Sequence, residues 1–252
     1  MKNKNMLYMT TEEVRKAAKK NFIIILPVGV IEEHGPHLPL GTDTFQILHC
    51  VEKALERADA LMAPVFHYGL CSSTKNFAGT ITISFKLLEN LTREVLKEIN
   101  RNGFKKVIIL SGHAGGDHMT AIRLACKKVV KESGMRIFVA SIAELVLKKF
   151  DEELIRKIPK EDKHAGFVET STMLYIDENF VKKDKMPGKS VPAYPEYEII
   201  INPEKYFPSG VMGNPKGANK EIGEKIIRLA VESIIELVKN VRCCDYNLDY
   251  TE

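Results

Sequence analysis

The segment Pro27–Asp43, PVGVIEEHGPHLPLGTD, sets two glutamates, two histidines and an aspartate among three prolines and three glycines. Glu32 and His34 stand two apart. In an extended chain, residues i and i+2 point to the same side, so one carboxylate and one imidazole can share an ion while Glu33 points the other way. Gly35-Pro36 and Leu38-Pro39 stiffen a return path that brings Asp43 back toward the same place, and a ligand loop stiffened by proline loses little entropy on binding. A second loop, SGHAGGDH, offers His113, with Gly112, Gly115 and Gly116 leaving backbone room around it. A third, DKHAGFVETS, places His164 and Glu169 on either side of a predicted helix start. Imidazoles mixed with carboxylates suit Zn, Mn or Fe(II). Singly, each residue has a plainer reading. A lone loop histidine is usually a surface or hydrogen-bonded residue, Asp43 alone would cap the helix that follows, and Glu169 alone would be a solvated helical carboxylate. That reading is kept for His49, His67 and His118. His37 is placed behind the ligands or facing substrate. Spacing alone leaves a metal site and a polar surface loop both open.

What could gather three distant segments is a sheet. FIIIL before the first loop and VIIL before the second are continuous apolar runs, as expected of strands covered on both faces. Ahead of the first run the sequence predicts a helix from Thr10 (a capping box with Glu13, and Met9 and Val14 at the staple positions) to Lys20. Further helices are predicted over 44–57, 85–102 (stopped by Gly103) and 117–132 (capped by Asp117), with short strands over 61–66 and 136–141. Strand–helix alternation implies βαβ units and a parallel sheet with helices on both faces. In such sheets ligands bind at the carboxyl ends of the strands, where both histidine loops begin. The segment 67–82 reads as a long loop, in which Lys75 and backbone amides could meet a phosphate. A helix is predicted near 164–175, 182–217 has no clear period, and 216–240 reads as a long closing helix. There is no repeat and no linker, so residues 1–252 are read as one domain.

Composition narrows the class. The chain has 252 residues, 44% hydrophobic and 28% charged, with a formal net charge of +4. Lys and Arg alternate with Glu along helical stretches, which describes solvated helix faces rather than a nucleic-acid surface. No apolar run approaches the roughly 20 residues of a membrane span, and MKNKNMLYMTTEE lacks a signal core. Five scattered cysteines (Cys50, Cys71, Cys126, Cys243, Cys244) without CxxC spacing argue against a disulfide framework or a structural zinc site, and for a reducing cytoplasm.

LPVGVIEEHGPHLPLGTD, FAGTITIS, LSGHAGGDH and DKHAGFVETS, in that order across roughly residues 20–175, resemble the creatininase (creatinine amidohydrolase) family. The resemblance implies a three-layer α/β/α sandwich with a mostly parallel central sheet, a two-metal centre at the sheet's carboxyl edge, hydrolysis of C–N bonds in cyclic or formyl amides of small molecules, and a hexamer. Position by position, Glu32, His34 and His113 match metal ligands, Asp43 matches the carboxylate bridging both ions, and His164 matches a proton shuttle. Two departures stand out. Gly115 replaces a carboxylate that binds the second metal, a role for which Glu169 is the favoured substitute. The chain also has no Trp, whereas creatininase places tryptophans over its substrate. Deformylation of a formamidopyrimidine ribonucleotide in flavin or deazaflavin synthesis, or hydrolysis of an oxidised inositol ring, therefore fits better than creatinine. The expected chemistry is metal-assisted hydrolysis, with His164 or Glu169 protonating the leaving nitrogen. The alternative of another class is a metal-binding regulatory module without turnover.

Overall fold

In the computed structural model, which describes residues 3–243, β1 (Ile23–Val28), β2 (Ala60–Met62), β3 (Lys106–Ser111) and β4 (Arg136–Ser141) form one sheet in the order β2-β1-β3-β4, every pair parallel. The first two residues of the N-terminal segment and Cys244 lie outside the described residues. The apolar runs behave as strands covered on both sides. Ile23 and Ile25 pack with α2 (Thr42–Leu55) and α8 (Lys220–Cys243), whereas Ile24, Leu26 and Val28 pack with α1 (Thr11–Lys19), α3 (Phe85–Arg101) and α4 (Gly116–Ser133). The result is a three-layer α/β/α sandwich. Ile24 stands opposite Val107 and Val28 opposite Ser111, so β1 and β3 end side by side. The order 2-1-3-4 puts the reversal of strand order between those two strands, and a crevice opens at their carboxyl ends.

Local signals explain most boundaries. The Thr10–Glu13 capping box opens α1, Ser84 caps α3, and Gly103 at φ 92 follows that helix. Two caps differ from expectation. α2 begins at Thr42 behind Gly41, so Asp43 sits inside the first turn rather than at the cap. α4 begins at Gly116 behind Gly115, and Asp117 accepts a hydrogen bond from Ser72 Oγ at 2.8 Å instead of capping. Regular pairing of β2 ends at Met62, short of the expected Phe66, which keeps a single bridge to Val28. After β4, Ser141 and Asp151 cap two short helices, α5 (Ile142–Val146) and α6 (Glu152–Lys157), that have too few turns to show a period. α7 (Phe167–Ile176) begins after Gly166, whose missing side-chain cap is supplied by Asp162, accepting from Phe167 N at 2.5 Å and Val168 N at 2.9 Å. Residues 182–217 are irregular, but their end is seated: Met212 and His164 exchange backbone hydrogen bonds, Met212 N donating at 2.8 Å. Among the described residues no helix is long and apolar enough to cross a membrane.

Candidate metal centre

Asp43 projects from the first turn of α2 into the crevice between β1 and β3. It is buried, and its two oxygens face different partners. His34 Nε2 lies 3.4 Å from Oδ1 and 3.8 Å from Glu169 Oε2. His113 Nδ1 lies 3.3 Å from Oδ2 and 2.9 Å from Glu32 Oε2. The chain can come this close because residue 112 is glycine. A Cβ there would lie 2.1 Å from the backbone oxygen of Asp43, so any side chain would push the loop after β3 off the first turn of α2.

The loop after β1 is closed by Glu32 N donating to Leu40 O at 3.0 Å, and Glu33 N donates to Thr80 Oγ1 at 2.9 Å. His34 Nδ1 sits 3.1 Å from the Glu32 carbonyl, to which it can only donate, leaving Nε2 turned toward Asp43. Thr74 Oγ1 donates to Glu32 Oε1 and leaves Oε2 for the cluster. Gly115 makes room for His113, since a Cβ on it would lie 2.4 Å from Nε2.

Glu32 Oε2, His34 Nε2 and Asp43 Oδ2 are all buried without a hydrogen-bond partner. Orphaned buried acceptors are costly, and several converging on one space are what a cation satisfies. Three groups of side chains have ligand atoms mutually within 4.8 Å: His34–Asp43–Glu169, Glu32–Cys71–His113 and Glu32–His34–His164. The donor set of imidazoles, carboxylates and one thiol fits a divalent transition ion. Electrostatics agree. Burial opposes the charge on Glu32, yet His113 outweighs it and holds the carboxyl at about 2. Burial likewise opposes Asp43 ionisation, but His34 and His113 hold it well below the usual carboxylate range. The same carboxylates overcome burial at His34, raised to about 10, and at His113, raised well above its ordinary value. A cation would take the place of those protons.

The second layer of contacts was less legible in the sequence. Glu33 points away from the ligands, as expected, but not into solvent. Its side chain is buried, accepts from Gly35 N at 2.9 Å, and lies 3.3 Å from His164 Nε2, which also meets the Glu33 carbonyl at 2.8 Å. Burial and His34 oppose the charge of His164, and Glu33, Glu32 and Glu169 raise its pKa nonetheless. Burial raises the pKa of Glu169. Between these two, Ala165 adopts φ 50 and donates its amide to Glu169 Oε2 at 2.5 Å. A non-glycine residue in that region costs of order 1–3 kcal/mol and clusters at functional sites.

Glu169 falls on the His34 side of Asp43. His34, Asp43 and Glu169 form one of the three groups, so Glu169 stands where it could take the ligand role that Gly115 lacks, and Gly115 itself lies against His113. His37 neither joins the cluster nor faces the crevice. It is buried, Nε2 lies 2.9 Å from Thr170 Oγ1, and burial lowers its pKa to about 4. His118 is held neutral by burial, at about 3, with Leu70 N donating to Nδ1 and Nε2 meeting Ser111 Oγ at 3.2 Å. Lys75 is exposed and outside the crevice, and Ser72 and Thr74 spend their hydroxyls on Asp117 and Glu32, so the expected phosphate cradle is not built.

Above the cluster opens a cavity of about 600 Å³, within the range of small-molecule sites. Its lining includes Glu32, Asp43, His113, His164 and Glu169 from the cluster together with the apolar Val146, Phe150, Ile226 and Ile227. Gln46, one turn along α2 from Asp43, presents a buried Nε2 with no partner to this space, a donor the sequence reading overlooked.

The family model for creatininase, creatinine amidohydrolase, matches residues 7–238. The chain belongs to the creatininase family, whose members hydrolyse C–N amide bonds. The creatinine amidohydrolase of Pseudomonas putida is 24% identical over 238 residues, covering 89% of this chain and 91% of that protein. The mycofactocin precursor peptide peptidase of Mycolicibacterium smegmatis is 27% identical over 230 residues, covering 86% and 84%. A mutant creatininase of Zn–Zn type superposes with a TM-score of 0.86 at 22% identity, over 95% of this chain and 98% of that one. Creatininase-family membership accounts for the sandwich and for the conjunction of the three histidine-bearing motifs at one sheet edge.

Proposed function

We propose that residues 1–252 form a single metal-dependent amidohydrolase domain that binds two divalent ions (Zn, Fe(II) or Mn) astride Asp43 and cleaves a C–N bond of a cyclic amide or formamide. The observation that carries this reading is one buried carboxylate whose two oxygens face two separate ligand groups in the lining of a cavity. Glu32, His113 and Asp43 Oδ2 would hold one ion; His34, Glu169 and Asp43 Oδ1 the other. Such ions, when bound, lower the pKa of water and polarise a carbonyl. The chain's own part is to orient and to move protons. His164, fixed by Glu33 and lining the cavity, carries the proton for the leaving nitrogen, and Glu169 is the second candidate donor.

Among substrates, the apolar part of the cavity lining favours a molecule with a flat ring over a polyol. This supports the flat formamide-bearing ring of a formamidopyrimidine ahead of an oxidised inositol ring, and the absence of Trp argues against creatinine. The test is a hydrolysis screen of metal-loaded protein against formamidopyrimidine ribonucleotide, dehydro-inositol and creatinine. Turnover of the first is expected, and failure on all three would favour a regulatory metal-binding module. Asp43→Asn is expected to lose both metal occupancy and hydrolysis while its circular dichroism spectrum stays unchanged. Full activity in that variant would remove Asp43 from the bridge.

The free cysteines among the described residues fit a reducing cytoplasm, and the exposed side chains of Tyr197, Ile199 and Ile201 fit a subunit contact in a homo-oligomer, a hexamer by family resemblance.

A further inference from the structure

Cys71 has no part in the ligand sets just described, yet it is fully buried at 0% exposure beside them. A Glu32 oxygen, a His113 ring nitrogen and Cys71 Sγ all lie within 4.8 Å of one another. Ligand atoms around one tetrahedral zinc are separated by about 3.4–3.8 Å, so small side-chain adjustments bring this trio onto one ion. A further observation points to a cation in that space. Glu32 Oε2 and Asp43 Oδ2 are buried acceptors with no aligned hydrogen bond, although His113 Nδ1 is 2.9 and 3.3 Å away. The segment carrying the thiol is also anchored to the cluster. Cys71 N donates to Thr82 Oγ1 at 2.9 Å, and Thr74, three residues on, donates to Glu32. No ligand can come from position 115, where His113 Nε2 occupies the place of a Cβ. Nor does Cys71 serve a disulfide.

We propose that Cys71, as a thiolate, is the fourth protein ligand of the ion on the Oδ2 side of Asp43, beside Glu32 and His113, its proton passing to solvent when the cation binds. The proposal rests on the two-ion reading above. Its consequence is asymmetry. Four protein ligands close a tetrahedral ion, whereas three leave a position open. The ion held by Cys71 is then closed and firmly retained, and the ion held by His34, Asp43 Oδ1 and Glu169 keeps the open position where substrate arrives.

The test is X-ray absorption at the zinc edge of the wild-type chain loaded with zinc. A sulfur shell at about 2.3 Å is expected beside the nitrogen and oxygen shell near 2.0–2.1 Å. Averaged over two ions, it amounts to about half a sulfur per zinc. The shell should vanish in Cys71→Ser and persist in Cys50→Ser, and removal of zinc by a chelator should be biphasic in wild type, with the slow phase missing from Cys71→Ser. If the serine variant does not fold, Cys71→Ala and the wild-type spectrum carry the same comparison. Two zinc ions per chain with only nitrogen and oxygen around them, or a sulfur shell that survives loss of Cys71, would overturn the thiolate ligand while leaving the two-ion reading intact. A chain that binds no zinc, iron or manganese would overturn both.

Discussion

Glu33 shows how much a single side chain's partners decide. The i, i+2 rule separates it correctly from Glu32 and His34, but gives no hint of where it ends up, because its partner His164 arrives from another part of the chain. Glu33→Gln keeps the shape and removes the charge that favours the imidazolium. We expect kcat to fall about 10–100-fold, as for other partners that orient a working histidine, with metal content unchanged. Since Glu33 raises the pKa of His164, its neutralisation should also move the alkaline limb of the kcat–pH profile to lower pH. An unshifted limb would show that His164 is not the group being titrated. At this scale residue type and position at strand ends singled out Glu32, His34, Asp43 and His113, whose side chains meet in the crevice. They did not reveal Cys71, Gln46 or Thr74, whose types are ordinary in a loop or helix and gain meaning only from what lies across the crevice.

The elements were legible in proportion to their length and the strength of their punctuation. β1, β3 and β4 announce themselves as apolar runs, α1 and α3 by their caps and periodicity, while the three-residue β2 and the short α5 and α6 carry too little pattern. The start of α2 was misplaced for an instructive reason. Aspartate is a good N-cap, so the sequence invites a helix after Asp43, but Gly41 takes the cap position and Asp43 is released inward for the site. The junction of β3 with α2 depends on Gly112. Gly112→Ala should lower the urea midpoint by an amount equivalent to about 1–3 kcal/mol, as overpacking typically does. Because the backbone of Asp43, the proposed bridging ligand, lies on the other side of that contact, the metal content of the folded fraction should fall as well. Elemental analysis after gel filtration separates the two effects.

At the scale of the whole molecule, strand–helix alternation was enough to foresee a parallel sheet and a site at its carboxyl edge, since β1 and β3 both run into histidine loops. Assembly was not legible in the same way, because exposed apolar residues on an irregular segment name no partner. Tyr197 is 98% exposed, Ile199 88% and Ile201 71%, unusually open for such side chains in one short stretch. Sedimentation velocity should show a species larger than a monomer, and Ile199→Glu combined with Tyr197→Ser should shift it to smaller ones without loss of helical content. A wild-type monomer would mean that this stretch does not join subunits. The ligands of the proposed centre come from segments as far apart as Glu32 and Glu169, and they meet only when α2 and α7 have packed beside the ends of β1 and β3. A metal ion therefore cannot nucleate this fold; it can only latch a chain that has already closed. Ligands that bind the native state alone stabilise it by about 2.7 kcal/mol at a hundredfold excess over Kd. The supply of transition metal would then govern how long the polypeptide survives proteolysis, as well as how fast it turns over.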